Sequence, residues 1–230
     1  MEGRQVSIMN TTLLHKNLMA LTGLFLVLFL IVHLAGNIQL LLPDEEAPAR
    51  FNGYSGFMSS NPFIKTISFL LYASIIAHVL MSLVITIRNR RAATAGGRYA
   101  LDRRRVVSPW YSRNMGILGS IILLFLVIHV KDFWYQYKFS SLPLDGEGNK
   151  DLYAIVVRAF GQPWYVALYV VSFMALGFHL LHGFTSAFKT LGAYPPRLVR
   201  LIYFVGIGLT LALTAGFIII PIIIFLNHHT

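Results

Sequence analysis

Five stretches of this chain stay apolar over about the 20 residues a helix needs to cross the hydrocarbon core of a bilayer. They run from Leu18 to Leu42, Phe63 to Ile87, Asn114 to Tyr137, Trp164 to Phe188 and Leu198 to Leu226. Backbone immersed in hydrocarbon must satisfy its own hydrogen bonds, and runs of this length do so as helices. The sequence therefore predicts an all-α membrane helix bundle of five transmembrane helices, forming one domain over residues 1–230. A hydrophobic content of 56% sets it apart from ordinary soluble domains. The uncharged part of the third stretch ends at Val130, and Phe133, Trp134, Tyr135 and Tyr137 extend it as an interfacial aromatic belt. The first stretch is longer than the apolar region of a signal peptide and lacks a small-residue cleavage site, so it is expected to persist as a helix.

A net charge of +10 would suit a nucleic-acid ligand, but the excess lies in the loops between apolar stretches and reads as a topology signal. Between the second and third stretches stand Arg88, Arg90, Arg91, Arg98, Arg103, Arg104, Arg105 and Arg113, against the single acid Asp102. That loop is assigned to the cytoplasm. Arg4 and Lys16 place the N-terminus on the same side, and Lys189, Arg197 and Arg200 add the fourth-to-fifth loop. The first outer loop instead holds Asp44, Glu45 and Glu46 with Arg50, so the C-terminus is expected outside. The chain has no cysteine, which excludes iron–sulfur clusters and thiolate metal sites from it; such chemistry would belong to a partner.

Four of the stretches carry a histidine, at His33, His78, His129 and His182. An ionisable side chain at membrane depth needs something to bind, and imidazoles on facing helices are a common means of holding a haem iron from both sides. Helix direction converts position to depth at about 1.5 Å per residue. His33 and His129, on outward-running helices, fall about 20–23 Å from the inner edge, and His78 and His182, on inward-running ones, about 9–14 Å from it. The depths predict an outer pair, His33 with His129, and an inner pair, His78 with His182. His179, three residues before His182, competes for the inner position. His182 is preferred because Gly183 follows it and leaves room for a flat macrocycle, with His179 as a propionate or supporting neighbour. Simple hydrogen bonding to a neighbouring helix is the alternative for any single membrane histidine. His15, His228 and His229 lie outside the stretches and read as surface residues, while Gly23, Gly36, Gly116, Gly119 and Gly177 suit close approach by a helix or a porphyrin.

These residues resemble a known family. Thr22-Gly23 ten residues ahead of His33, the run His33-Leu34-Ala35-Gly36-Asn37, a histidine on each of the next three helices, and Leu181-His182-Gly183 are similar to the dihaem cytochrome b membrane anchor of succinate:quinone oxidoreductase and fumarate reductase, in its single-chain, five-helix type. The resemblance covers nearly the whole chain. It implies two b-type haems as cofactors, a flavoprotein subunit and an iron–sulfur subunit as partners on the cytoplasmic face, and a quinone pool, usually menaquinone, as redox partner within the bilayer. Electrons would pass between the partners and the quinone through this chain, with dicarboxylate chemistry on the flavoprotein. Some members carry a glutamate two residues before the fourth-helix ligand, where this chain has Leu180; a quinol-binding glutamate near the start of the second helix also has no match, Glu45 and Glu46 lying earlier.

Polarity therefore has to locate the quinone. Asn37, Gln39, Lys131 and Asp132 stand near the outer ends of the haem helices and are the expected quinone-site residues, with headgroup snorkelling as the alternative for Lys131 and Asp132. Lys16, Arg113 and Lys189 at the inner end are expected propionate partners of the inner haem, or plain inside anchors. The whole reads as a multi-pass quinone oxidoreductase subunit of a bacterial cytoplasmic membrane. The alternatives are a cytochrome b subunit of another respiratory enzyme, such as a nitrate-reductase-type anchor, and a haem-free transporter whose histidines relay protons.

Overall fold

A computed structural model describes residues 2–95 and 108–229. Among these residues, five helices are long and apolar enough to cross a membrane, and there is no strand. Helix α1 (Glu2–Asn37) ends in a 3₁₀ turn at Ile38–Leu41, α2 (Ala47–Ser60) crosses the end of the bundle, and α3 (Pro62–Ala95) returns. A short α4 (Trp110–Arg113) precedes α5 (Met115–His129), which continues as a π-helical segment over Val130–Tyr135 into α6 (Gln136–Phe139). Then come α7 (Leu152–Phe160), α8 (Pro163–Thr190) and α9 (Val199–His229). This is the all-helical, multi-pass architecture that the five apolar stretches predict.

The apolar stretches understate the helices: the spans reach Thr12–Leu41, Pro62–Arg91, Met115–Phe139, Pro163–Thr190 and Val199–His229. Local chemistry fixes the ends. Pro62 and Pro163 stand at first-turn positions where no backbone donor is needed, and Asn61 Oδ1 accepts from the Phe63 amide at 2.9 Å. At the other end of α8, Gly192 takes φ +72° and lets the chain turn out of the helix. Of the arginine-rich loop, Arg98, Arg103, Arg104 and Arg105 lie outside the described residues.

Helix α8 is central, packing on α9, α5 and α1, while α3 leans chiefly on α1. Between lipid-embedded helices there is no water to expel, so association depends on close packing of small residues. The glycines supply it: a Cβ on Gly177 of α8 would lie 2.7 Å from Thr214 Oγ1 of α9, one on Gly206 2.7 Å from Phe184, and one on Gly216 2.7 Å from Leu34 of α1. Phe69, Leu124, Phe204 and Leu211 are exposed, giving the bundle a surface suited to acyl chains.

The loops at the α2 end are more ordered than their composition suggests. Helices α2 and α7 form a cap there, joined by Asn52, which is 0% exposed. Its Nδ2 donates to Asp151 Oδ1 at 3.1 Å and its Oδ1 accepts from the Tyr153 amide at 2.9 Å, while Asp151 itself caps α7 by accepting from Ala154 N. Tyr54 of α2 lies against Gly36 of α1, where a Cβ would meet the phenol ring at 2.5 Å.

Candidate histidine pairs and the polar chain beside them

Two of the predicted residues meet inside the capped end of the bundle. The rings of His33 on α1 and His129 on α5 stand with centroids 5.8 Å apart at an interplanar angle of 90°. Aromatic side chains enclose them: Phe29 stacks on His33 at 5.1 Å, Phe217 lies 5.9 Å from it, and Phe125 and Phe133 flank His129 at 5.5 and 5.4 Å. The His129 Nδ1 is within 3.1 Å of Tyr169 Oη on α8.

A second pair lies deeper along the helices. His78 of α3 has its ring contact with His179 of α8, at 6.2 Å and 65°. His78 Nδ1 is 3.2 Å from the Met19 carbonyl and 3.3 Å from Thr22 Oγ1. A carbonyl only accepts, so Nδ1 carries the hydrogen and Nε2 keeps its lone pair, the tautomer that binds a metal through Nε2. The Cβ of a residue at position 23 would touch His78 Cε1 at 3.3 Å, so Gly23 gives the imidazole its place. His179 Nδ1 is buried without a hydrogen-bond partner among the described residues.

His182, preferred on sequence for the inner position, has its Nε2 3.1 Å from Ser186 Oγ on its own helix. A Cβ on Gly183 would meet nothing within 4 Å, so there is room at that glycine, but the ring facing His78 is that of His179. Gly36 and Gly177, by contrast, are occupied by Tyr54 and Thr214 in helix packing. Helix rise separates the two levels consistently. On α1, Gly23 beside His78 precedes His33 by ten residues, and on α8, Tyr169 beside His129 precedes His179 by ten; each spacing is about 15 Å.

Both pairs suit an iron held on two sides. The ring centroids of the two pairs stand 5.8 and 6.2 Å apart. Among the described residues no three histidine or acidic side chains gather to hold a bare ion. Donors that come in twos match a haem, whose porphyrin supplies the other four ligands.

The polar residues expected at the outer end divide into separate groups. Asn37 donates through Nδ2 to the His33 carbonyl at 2.8 Å and so finishes α1. Asp132 faces inward, accepting through Oδ2 from Tyr165 Oη at 3.1 Å, and Tyr165 Oη lies 3.2 Å from Tyr169 Oη. Asp132 also lines a cavity of about 380 Å³ with Gln136, Asp151 and Arg158, a set that includes neither Asn37 nor Gln39. Lys131 is 75% exposed, 3.4 Å from Asp132, and borders an apolar hollow with Val130, Trp134 and Tyr135. The π-helical turn that begins right after His129 carries Asp132 and the buried Phe133 together, and such turns recur where a helix serves a site.

At the opposite end, Lys189 sits over the Tyr194 ring at 5.1 Å, Arg113 donates to the Ser108 carbonyl at 2.6 Å, and Lys16 is exposed. Arg88, in sequence a topology marker, reaches from α3 to Thr12 Oγ1 and His15 Nδ1 on α1. His15 thus belongs to the first span and is half-buried. Tyr165 and Tyr169 were also missed. Two hydroxyls four residues apart on one apolar helix face must find partners, and that spacing was the available signal. The chain matches no protein-family model, no curated protein and no solved structure.

Proposed function

We propose that this chain is the dihaem cytochrome b membrane anchor of a succinate:quinone oxidoreductase or fumarate reductase in a bacterial cytoplasmic membrane. The observation that carries the reading is the meeting of four histidines from four helices as two ring pairs at two levels of one bundle. His33 and His129 would hold the outer haem. His78 and His179 would hold the inner one, since His179 supplies the ring that faces His78. When bound, each haem supplies a one-electron carrier at its level.

The chain's own residues would do the rest. Met19 and Tyr169 orient ligand rings through their Nδ1 atoms, and the aromatic walls around His33 and His129 keep water away. The cavity bordered by Asp132, Gln136 and Arg158 offers donors and acceptors to a quinone head group, menaquinone being the species the family resemblance implies. A flavoprotein and an iron–sulfur subunit would dock at the cytoplasmic end, where Lys16, Arg113 and Lys189 lie. With His179 as ligand, the position two residues earlier is Gly177, packed on Thr214, so no carboxylate stands there for a proton path.

The test is the haem content and the reduced-minus-oxidised spectrum of the purified complex. Two b haems per chain, co-purifying with flavin and iron–sulfur subunits, are expected. No haem would leave the proton-relay transporter, and haem with a different catalytic partner would assign another respiratory enzyme.

A further inference from the structure

The chain from Asp132 to His129 has only one arrangement of hydrogens once the carboxylate is ionised. Asp132 Oδ2 can only accept, so the single hydroxyl hydrogen of Tyr165 points to it. Tyr165 Oη must then accept from Tyr169 at 3.2 Å, which commits the only hydroxyl hydrogen of Tyr169. Tyr169 Oη is left to accept, and the group within 3.1 Å is His129 Nδ1, which must carry a hydrogen. Three bonds thus run in one direction, from imidazole N–H through two phenols to a carboxylate. Burial strengthens them, since Tyr165 and Tyr169 are 4% and 2% exposed.

We infer that Tyr169, Tyr165 and Asp132 form a positioning relay that locks His129 as an Nδ1 donor and carries the negative charge of Asp132, from the wall of the outer cavity, to that imidazole. This inference rests on the reading of His129 as a haem ligand. A hydrogen bond from a ligand's second nitrogen toward a carboxylate makes the ring a stronger donor and favours the more positive state of its metal. The relay therefore holds the reduction potential of the outer haem down. It also ties that potential to the cavity, because Asp132, Gln136 and Arg158 share its wall. Among the described residues His33 shows no such chain; its ring contacts are with Phe29, His129 and Phe217.

Potentiometric titration of the intact complex tests this with Tyr169→Phe, Tyr165→Phe and Asp132→Asn. Each is expected to raise the potential of one haem, the component that His129→Ala removes, and to leave the other unmoved. The expected size is about tenfold in the reduction equilibrium, or 59 mV for one electron. Tyr137→Phe is the control: its hydroxyl lies 3.2 Å from Ser59 at the same end of the bundle, outside the relay, and neither potential should change. Should Tyr169→Phe lose the haem, Tyr165→Phe and Asp132→Asn decide, since neither residue touches the ligand. Unmoved potentials in both, or equal shifts of both haems, would overturn the relay. A wild-type complex without haem would instead overturn the functional reading beneath it.

Discussion

At the scale of single residues, the proposed dihaem function makes the two ring pairs separable by substitution. An iron deprived of one imidazole becomes five-coordinate or dissociates, so both members of a pair should give one phenotype. His33→Ala and His129→Ala are expected to lose, or convert to high spin, the same spectral component, and His78→Ala and His179→Ala the other. His182→Ala should keep both haems, because its ring is turned to Ser186. Absorption and low-spin resonance spectra of the five variants check this; a normal spectrum for His179→Ala with loss in His182→Ala would restore His182 as the ligand. The sequence makes the four histidine-bearing helices legible, and depth alone matches His33 to His129, whose rings meet at 5.8 Å. It does not separate His179 from His182, because residues three apart on a helix share a face and differ only in rotation toward α3. Only the placement of α3 against α1 settles which ring looks at His78.

At the scale of elements, the α8–α9 contact depends on the absent side chain of Gly177. A methyl there would meet a β-branched threonine with little freedom to move, and overpacking of this kind costs about 1–3 kcal/mol. Gly177→Ala should therefore lower the melting temperature of helicity in detergent, and Thr214→Ala in the same chain should recover most of the loss. The cap helices escape a search for membrane spans for a physical reason. Helix α2 is short, polar and glycine-containing, and α7, apolar with Val156 and Phe160 buried, has nine residues, too few to cross a bilayer; Asn52 joins the two. The turn before α7 adds a pH dependence. Partial desolvation raises the Asp145 pKa, but amide hydrogen bonds from Asn149 and Glu147 outweigh it and hold the carboxyl below its ordinary value. A depressed folded-state pKa contributes order above the unfolded value of about 3.9 and loses it as pH falls through the folded value. Hydrogen exchange in residues 140–151, corrected for intrinsic rates, should be slow near pH 6 and accelerate below about 4. In Asp145→Asn that pH dependence should vanish.

At the scale of the whole molecule, five spans would put the termini on opposite sides, and by the charge rule the arginines of the 88–113 segment would place the loop between α3 and α4 on the cytoplasmic side. Charge bias acts during insertion and leaves no mark on helix packing, so this orientation comes from the loops alone. The absence of native cysteine makes it directly measurable. Gly146 lies in the exposed turn before α7, and Arg197 is exposed between α8 and α9, at the other end of the bundle. In sealed right-side-out vesicles, an impermeant maleimide should label Gly146→Cys and spare Arg197→Cys, and inverted vesicles should reverse the result. Bound flavoprotein and iron–sulfur subunits should further slow labelling at Arg197→Cys in inverted vesicles, because that end is where they are proposed to dock. Labelling of Arg197→Cys from the outside would turn the bundle over, placing the His33–His129 pair and the Asp132 cavity on the cytoplasmic side and moving the proposed docking face with the arginines to the exterior.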